Sequence, residues 1–311
     1  TFTLPKMVRD QAMENNEVFR FHEFFRVWTE EDKNSIQRLI DNESNPVKLG
    51  ELKNRLSNIR VNHFIHENAV KSFLDKLVED SDTSQYPFST DEFRENFRHT
   101  FWLLPGVKEA TALEMLLKEH DVFGVENGMF KIINVAGDCN IEDKYGKALK
   151  EVENHIRGNA AENITKKDYT ITLSCGKLTT GVSIPEWTAV LCMKGSENTP
   201  ASGYMQTIFR VQTHAVLEGR QKSDCYVFDF APNRALRQVA EYSCRLSVDE
   251  SNPEKKVAEF IHFLPILAYD GSSMRQIDAA GILDMAMSGT TATLLARRWE
   301  SALLVNVEDV G

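Results

Sequence analysis

The chain has 311 residues, 42% hydrophobic and 26% charged, which suffices for a globular core in one or two domains. It carries 36 Lys and Arg against 46 Asp and Glu, a formal charge of −10. That balance argues against an autonomous nucleic-acid-binding module with a basic surface, while leaving room for contacts confined to one cleft. No run of about 18 apolar residues occurs, so neither a membrane span nor a membrane partner is expected.

The chain starts on Thr1 without an initiator Met or a charged-then-apolar leader, and stops at Asn306-Val307-Glu308-Asp309 without a closing element. It therefore reads as a piece of something longer, with no signal peptide and a cytoplasmic location expected. Five cysteines (Cys139, Cys175, Cys192, Cys225 and Cys244) include no CxxC pair and are expected to be reduced, mostly buried thiols. His63, His66 and His262 have no Cys partner at ligand spacing, and no metal site is expected.

Residues 1–95 read as helical and polar. Helical spacing runs over Glu30 to Ile40, Val47 to Leu56 and Glu67 to Val78, the last with Val70, Phe73, Leu74 and Leu77 on one face. The stretch DSDTSQYPFST interrupts as a turn, and a short helix restarts over Asp91 to Arg98. From His99 the texture changes to alternating strand and helix. Short apolar strands are predicted over Thr100 to Leu104, Phe130 to Val135, Tyr169 to Leu173, Thr188 to Met193 and Cys225 to Phe230. Helices are predicted between them over Lys108 to Glu119, Ile141 to Ile156 and Tyr204 to Val211. Five such strands with helical crossovers predict an α/β fold: a mostly parallel sheet sandwiched by helices, with helical appendages at both ends. Beyond Ala235 helices return over Arg237 to Cys244, Glu254 to Leu267, Ala279 to Met287 and Thr291 to Leu304, with a linker at about residues 247–256.

On such a sheet ligands bind at the carboxyl ends of the strands, which directs attention to Pro105-Gly106, Gly137-Asp138 and Ser174 to Pro185. Residues Thr170 to Pro185 read TITLSCGKLTTGVSIP, a strand entering a loop of Ser, Gly, Lys and Thr. Backbone N–H groups, hydroxyls and one cation suit phosphate oxygens, although a purely structural loop reads the same way. No Walker A motif is present: Gly176-Lys177 is followed by Leu178, no other GK[ST] occurs, and there is no DEAD, DEAH or DExH string. The chain cannot assemble a complete P-loop ATPase site alone. In YMQTIFRVQT, Gln206 and Arg210 stand four apart and are predicted to share a helix face. An Arg there can stabilise charge on a transferred phosphoryl group, or serve as an ordinary surface ion-pair partner.

The two elements together resemble motifs V and VI of superfamily 2 helicases, and HTFWLLPGVKEATALEMLLKEH resembles their motif IV unit. The combination YPFS…FRHTFW, IINVAGD, LSCGKLTTGVSIPEWTAV, YMQTIFRVQT, CYVFDFAPNRAL and LPILAYDGSSM is similar to the DEAD/DEAH-type motor subunits of type I and type III restriction enzymes, over about residues 86–271. The resemblance implies a RecA-like C-terminal motor lobe over 96–245, between a helical insertion or spacer (1–95) and a helical segment (246–311). It implies that ATP is bound with a missing first lobe, which would hold the Mg²⁺, and that double-stranded DNA and methylase or nuclease domains are partners. Pro105, Gly106 and Lys108 would meet a DNA phosphate, with Ser174, Cys175 and Lys177 also on the DNA side. Thr180, Gly181 and Ser183 would lie nearer the nucleotide, while Gln206 and Arg210 would reach the ATP.

Two departures matter. Ser183 stands where such motors usually have Asp, which puts a contact to the nucleotide sugar in doubt. Phe209 and Thr213 replace the usual Gly and second Arg, so the finger role falls to Arg210 or, as the alternative, Arg220. Glu254-Lys255-Lys256 fits part of a nuclease motif but lies in a polar linker. Two other readings stay open: a degenerate, non-catalytic helicase-like scaffold, and a nucleotide- or metabolite-binding α/β domain.

Overall fold

The apolar segments that begin at His99 pair into one sheet. In a computed structural model, strands β1 (His99–Leu103), β2 (Lys131–Asn134), β3 (Thr170–Ser174), β4 (Ala189–Cys192) and β7 (Tyr226–Asp229) lie in the order β2-β3-β1-β4-β7, every pair parallel. Between β4 and β7 a small antiparallel hairpin pairs β5 (Val216–Leu217) with β6 (Arg220–Gln221). The structure describes residues 24–80, 84, 86–124, 129–137, 144–179, 182–194, 201–217, 219–230, 232–245, 252–263, 265–269, 274–276 and 278–287.

Among the described residues the sheet is preceded by α1 (Glu30–Asn42), α2 (Pro46–Asn58), α3 (Glu67–Val78) and the short α4 (Asp91–Asn96). Their starts follow local chemistry. Thr29 and Asp32 form a capping box on α1, Asn45 caps α2 ahead of Pro46 at its first position, and Thr90 accepts from the Phe93 N–H on α4. The crossovers are α5 (Val107–Glu119), α6 (Lys144–Arg157) and α7 (Ala201–Ile208). After the sheet come α8 (Pro232–Arg245), α9 (Pro253–Phe263), a hairpin of β8 (Leu267–Tyr269) and β9 (Met274–Gln276), and α10 (Ala279–Met287). The fold is therefore the mixed α/β sandwich that the strand pattern predicts, consistent with the RecA-like lobe that the resemblance implies.

Side chains alternate across the sheet with period two. Trp102, Ile132, Ile171, Leu173, Ala189, Leu191 and Phe228 face one cluster; Phe101, Ile133, Val190 and Cys192 face the other. Trp102, Phe101 and Phe130 are all core residues. The first face is covered by Ala110, Leu113, Leu116 and Leu117 of α5 and, alongside them, by Phe24, Phe25, Phe64, Phe73 and Leu77. The helices before residue 96 thus share one continuous cluster with the sheet. Phe73 on α3 meets Phe230 just beyond β7 edge to face at 5.0 Å. The opposite face is covered by α6 and α7, with α8 packed on α7, α9 and α10 outside them.

Three details differ from the sequence pattern. The predicted helix Glu254 to Leu267 ends at Phe263, because Pro265 has no N–H and disfavours helical geometry in the residue before it. The predicted helix at Arg237 begins earlier, at Pro232, where a proline fits the first turn. The helix predicted to run through Val211 stops at Ile208, and a 3-10 turn, Phe209–Gln212, replaces its end. The predicted helix over Thr291 to Leu304 and the Asp138 position lie outside the described residues. Among the described residues no helix is long and apolar enough to cross a membrane.

Candidate functional site

All five strands are parallel, so their carboxyl ends share one edge. The chain leaves β1 toward β2 on one side and leaves β4 toward β7 on the other, which makes the ends of β1 and β4 the switch point of the sheet, the place where such folds bind ligands. Leu104 continues the ladder by donating its N–H to Ser174 O at 2.7 Å, Val135 N–H donates to Leu173 O at 3.0 Å and Met193 N–H donates to Leu103 O at 2.9 Å. The Cys175 thiol reaches Ala136 O at 3.6 Å. The turn after β1, the loop after β3 and the end of β2 are therefore stitched together.

At the first of these, Pro105 and Gly106 are half-buried and Lys108 is exposed. Gly106 caps α5 without a side-chain hydrogen bond. Glu109 folds back over it: a Cβ added at Gly106 would meet Glu109 Oε2 at 2.5 Å. An acidic group there is favoured by the partial positive charge of the helix start, and it stands where an external anion would come.

The loop after β3 is shaped from within. Ser174 is buried; its hydroxyl donates to Lys177 O at 2.6 Å and accepts from Gly176 N–H at 3.2 Å. Thr179 donates its hydroxyl to Gly176 O at 2.7 Å. Leu178 adopts a left-handed φ of 62° while fully buried, a conformation that costs a branched side chain roughly 1–2 kcal/mol and that its packing beneath the sheet holds in place. The Ser174 side chain thus faces into the loop, whereas Lys177 is half-buried and Ser183 exposed. Thr180 and Gly181 lie outside the described residues.

Arg210 meets this loop directly. From the 3-10 turn its Nε donates to Thr179 O at 2.9 Å and its Nη1 to Val182 O at 2.6 Å. The loop and the Arg210 segment, far apart in sequence, are thereby one structural unit. Gln206 is exposed on α7, and because the helix tightens after Ile208, it and Arg210 do not lie on one continuous α-helix. Buried Tyr204 anchors the same segment by donating to Asp229 Oδ2 at 2.8 Å.

A second contact was not visible in the sequence. Lys222, just past the β5–β6 hairpin, donates from Nζ to Pro185 O at 2.9 Å, Trp187 O at 3.2 Å and Val211 O at 2.8 Å. Burial pushes its ammonium below the usual lysine range, against the pull of Cys225 and Glu186. No periodicity or motif distinguishes this lysine from its exposed neighbours.

At the opposite, amino edge of the sheet lies a cleft of about 810 Å³ with His99 and Arg157 in its wall. Burial pushes His99 down to about 4, and its Nδ1 lies 3.0 Å from Thr170 Oγ1. Arg157 grips Glu186 with Nε at 2.6 Å and Nη2 at 2.9 Å. Burial raises the Glu186 carboxyl, but the hydrogen bonds and charge of Arg157 outweigh it and hold the group below the usual range. None of the residues singled out from the sequence lines this cleft. Among the described residues no group of three or more His, Cys, Asp or Glu is placed to hold a metal ion.

No family model matches the chain. Over 223 residues, 70% of the chain, it is 33% identical to a Mycoplasma pneumoniae protein named as the C-terminal part of a candidate type II restriction enzyme and methyltransferase. The aligned region is 29% of that relative, so the chain spans less than a third of its length. This similarity links the chain to restriction-modification proteins. A DNA-bound ATP-dependent Type ISP restriction-modification enzyme, LlaBIII, aligns over 78% of this chain and 15% of its own, at 12% identity and a TM-score of 0.36. A likeness that distant carries no argument.

Proposed function

We propose that this chain is the second motor lobe of an ATP-dependent DNA helicase or translocase belonging to a restriction-modification enzyme. The observation that carries the reading is the junction of Arg210 with Thr179 and Val182, within the loop that leaves the carboxyl end of β3. It joins the segments that resemble motifs V and VI. The similarity to a restriction enzyme and methyltransferase supports double-stranded DNA, and methylase or nuclease domains of the same parent, as partners. ATP is the nucleotide on this reading. With no phosphate-binding loop in this sequence, the first lobe of the parent chain would bind the triphosphate and its Mg²⁺. This lobe would contribute Arg210 and Gln206 to the nucleotide, with Thr180, Gly181 and Ser183 nearby. Pro105, Gly106, Lys108, Ser174, Cys175 and Lys177 form the DNA-facing set, with Ser174 acting through the shape it gives the loop.

The test uses the full-length parent. Arg210→Ala is expected to lower DNA-stimulated ATP hydrolysis on the order of 10³-fold, as loss of an arginine finger does, with duplex binding kept. Hydrolysis at the wild-type rate refutes the assignment. A second reading, a non-catalytic scaffold lobe, is favoured by one observation: two nitrogens of Arg210 already serve the loop. On that reading a full-length parent with an intact first lobe hydrolyses no ATP.

A further inference from the structure

An ammonium group has three N–H donors, and all three of Lys222 are accounted for by main-chain carbonyls: Pro185 O, Trp187 O and Val211 O. Two of these close the loop that begins at Ser174. The third belongs to the 3-10 turn Phe209–Gln212, which carries Arg210. The nearby carboxylate of Glu186 is held by Arg157 instead. Lys222 therefore works as a tripod between two backbone segments and not as half of an ion pair. Its own N–H donates to Ala215 O at 2.9 Å, closing the foot of the β5–β6 hairpin, so the tripod stands on a fixed base.

Arg210 does the same at the other end of the loop. Together the two cations hold the loop at residues 179, 182, 185 and 187. Arg210 grips from within the turn, and Lys222 grips the turn through Val211. Tyr204 and Asp229 fix where α7 sits on the sheet; of these contacts, those of Arg210 and Lys222 tie the loop to the turn. A half-buried ammonium is costly unless its donors are satisfied, and here the carbonyls satisfy them.

We propose that Lys222 is a positioning residue for ATP hydrolysis: it sets the spacing between the loop Ser174 to Trp187 and the turn that presents Arg210. The inference rests on the motor-lobe reading above. Lys222 touches neither nucleotide nor DNA in this scheme, and acts through the two segments it joins.

The experiment compares full-length parent proteins carrying Lys222→Met or Lys222→Arg with the wild type, by amide hydrogen exchange and by steady-state ATP hydrolysis with duplex DNA. In Lys222→Met, exchange is expected to rise about tenfold in peptides covering residues 182–187 and 209–213, and to stay unchanged in β1 and β3. The kcat is expected to fall on the order of 10²-fold, as a small misplacement does, with KM for ATP little changed. Lys222→Arg keeps the charge but not the tripod, and is expected to fall between. Unchanged exchange in both segments overturns the clasp. Faster exchange with unchanged kcat, or a rise in KM alone, overturns the positioning role. If Lys222→Met does not fold, Lys222→Arg decides by the same two measurements. A wild-type parent that hydrolyses no ATP removes the motor reading and the positioning role with it, while exchange still decides whether the clasp exists.

Discussion

His99 opens β1 at the amino edge of the sheet, with its Nδ1 at 3.0 Å from buried Thr170 Oγ1. Burial is the main force holding its pKa at about 4 against an ordinary 6.5; Lys166 and Arg98 push the same way, Glu186 and Asp168 oppose. The folded state therefore refuses a proton that the unfolded chain accepts. Between pH 6.5 and about 4 the unfolded state binds more protons, so stability falls as pH falls, by at most 1.36 kcal/mol per pH unit. The full contribution is present above pH 6.5, about 2 kcal/mol of it is gone at pH 5, and about 3 kcal/mol is gone below pH 4. His99→Asn keeps a polar group near the Nδ1 position and removes the titration. Urea unfolding followed by Trp fluorescence at pH 8, 6 and 5 is expected to show this loss in the wild type and not in the variant. Glu95, held below the ordinary carboxyl value of 4.5 by Tyr169 and Arg98, loses its contribution at lower pH and equally in both proteins. Identical pH dependence in the two proteins refutes the argument that His99 is buried neutral.

Two further outcomes are expected. Phe73→Ala removes a fully buried ring that touches Phe24, Phe25 and Phe230 at 6.0, 5.8 and 5.0 Å, which costs about 3–5 kcal/mol. It should shift one cooperative urea transition of the whole chain, whereas a separate early transition with the sheet unaffected would show the first helices to be independent. Glu109→Gln removes the charge folded over Gly106, worth about 0.3–1 kcal/mol at a helix start. If the turn after β1 receives a DNA phosphate, the full-length parent should bind duplex about two- to fivefold more tightly at low salt. Equal or weaker binding, read by fluorescence anisotropy, counts against that site.

The sheet was legible because each strand is a short apolar run closed by a breaker, as TFWLL is by Pro105-Gly106. The alternation that puts Trp102 and Phe101 on opposite faces follows from period two alone. The role of the first helices was less legible. Phe24, Phe25, Phe64 and Phe73 are too aromatic for a solvated spacer, but which surface they cover depends on strand order, which periodicity does not encode. The hairpin at Val216–Gln221 hides in two pairs of residues around Gly219, whose φ of +78° marks the turn. The site divides in the same way. Loop chemistry drew attention to the stretch from Ser174 and helical spacing to Arg210, whereas Lys222 bonds to main-chain carbonyls that any residue supplies, so no side-chain pattern accompanies it.

The clasp and the finger need not compete for Arg210. A guanidinium carries five N–H donors in a planar fork. Nε uses its one on Thr179 O, and Nη1 uses one of its two on Val182 O. That leaves one N–H on Nη1 and both on Nη2, the pair of nitrogens that forms the end of the fork. These two bonds leave opposite sides of the group, because Nε–H lies on the Nη2 side and Nη1 lies beside Cδ; together they fix its plane, so the Nη1–Nη2 end is oriented without further loss of rotamer freedom. A phosphate approaching the Nη1–Nη2 end would meet an Arg already aimed, and Lys222 would hold the backbone that aims it. Arg210→Lys separates the two duties: an ammonium on that shorter stem can keep one loop carbonyl but has no planar fork to offer. If clasp and finger are one residue, Arg210→Lys should fail in hydrolysis nearly as badly as Arg210→Ala in the full-length parent, while loosening the loop less in amide exchange.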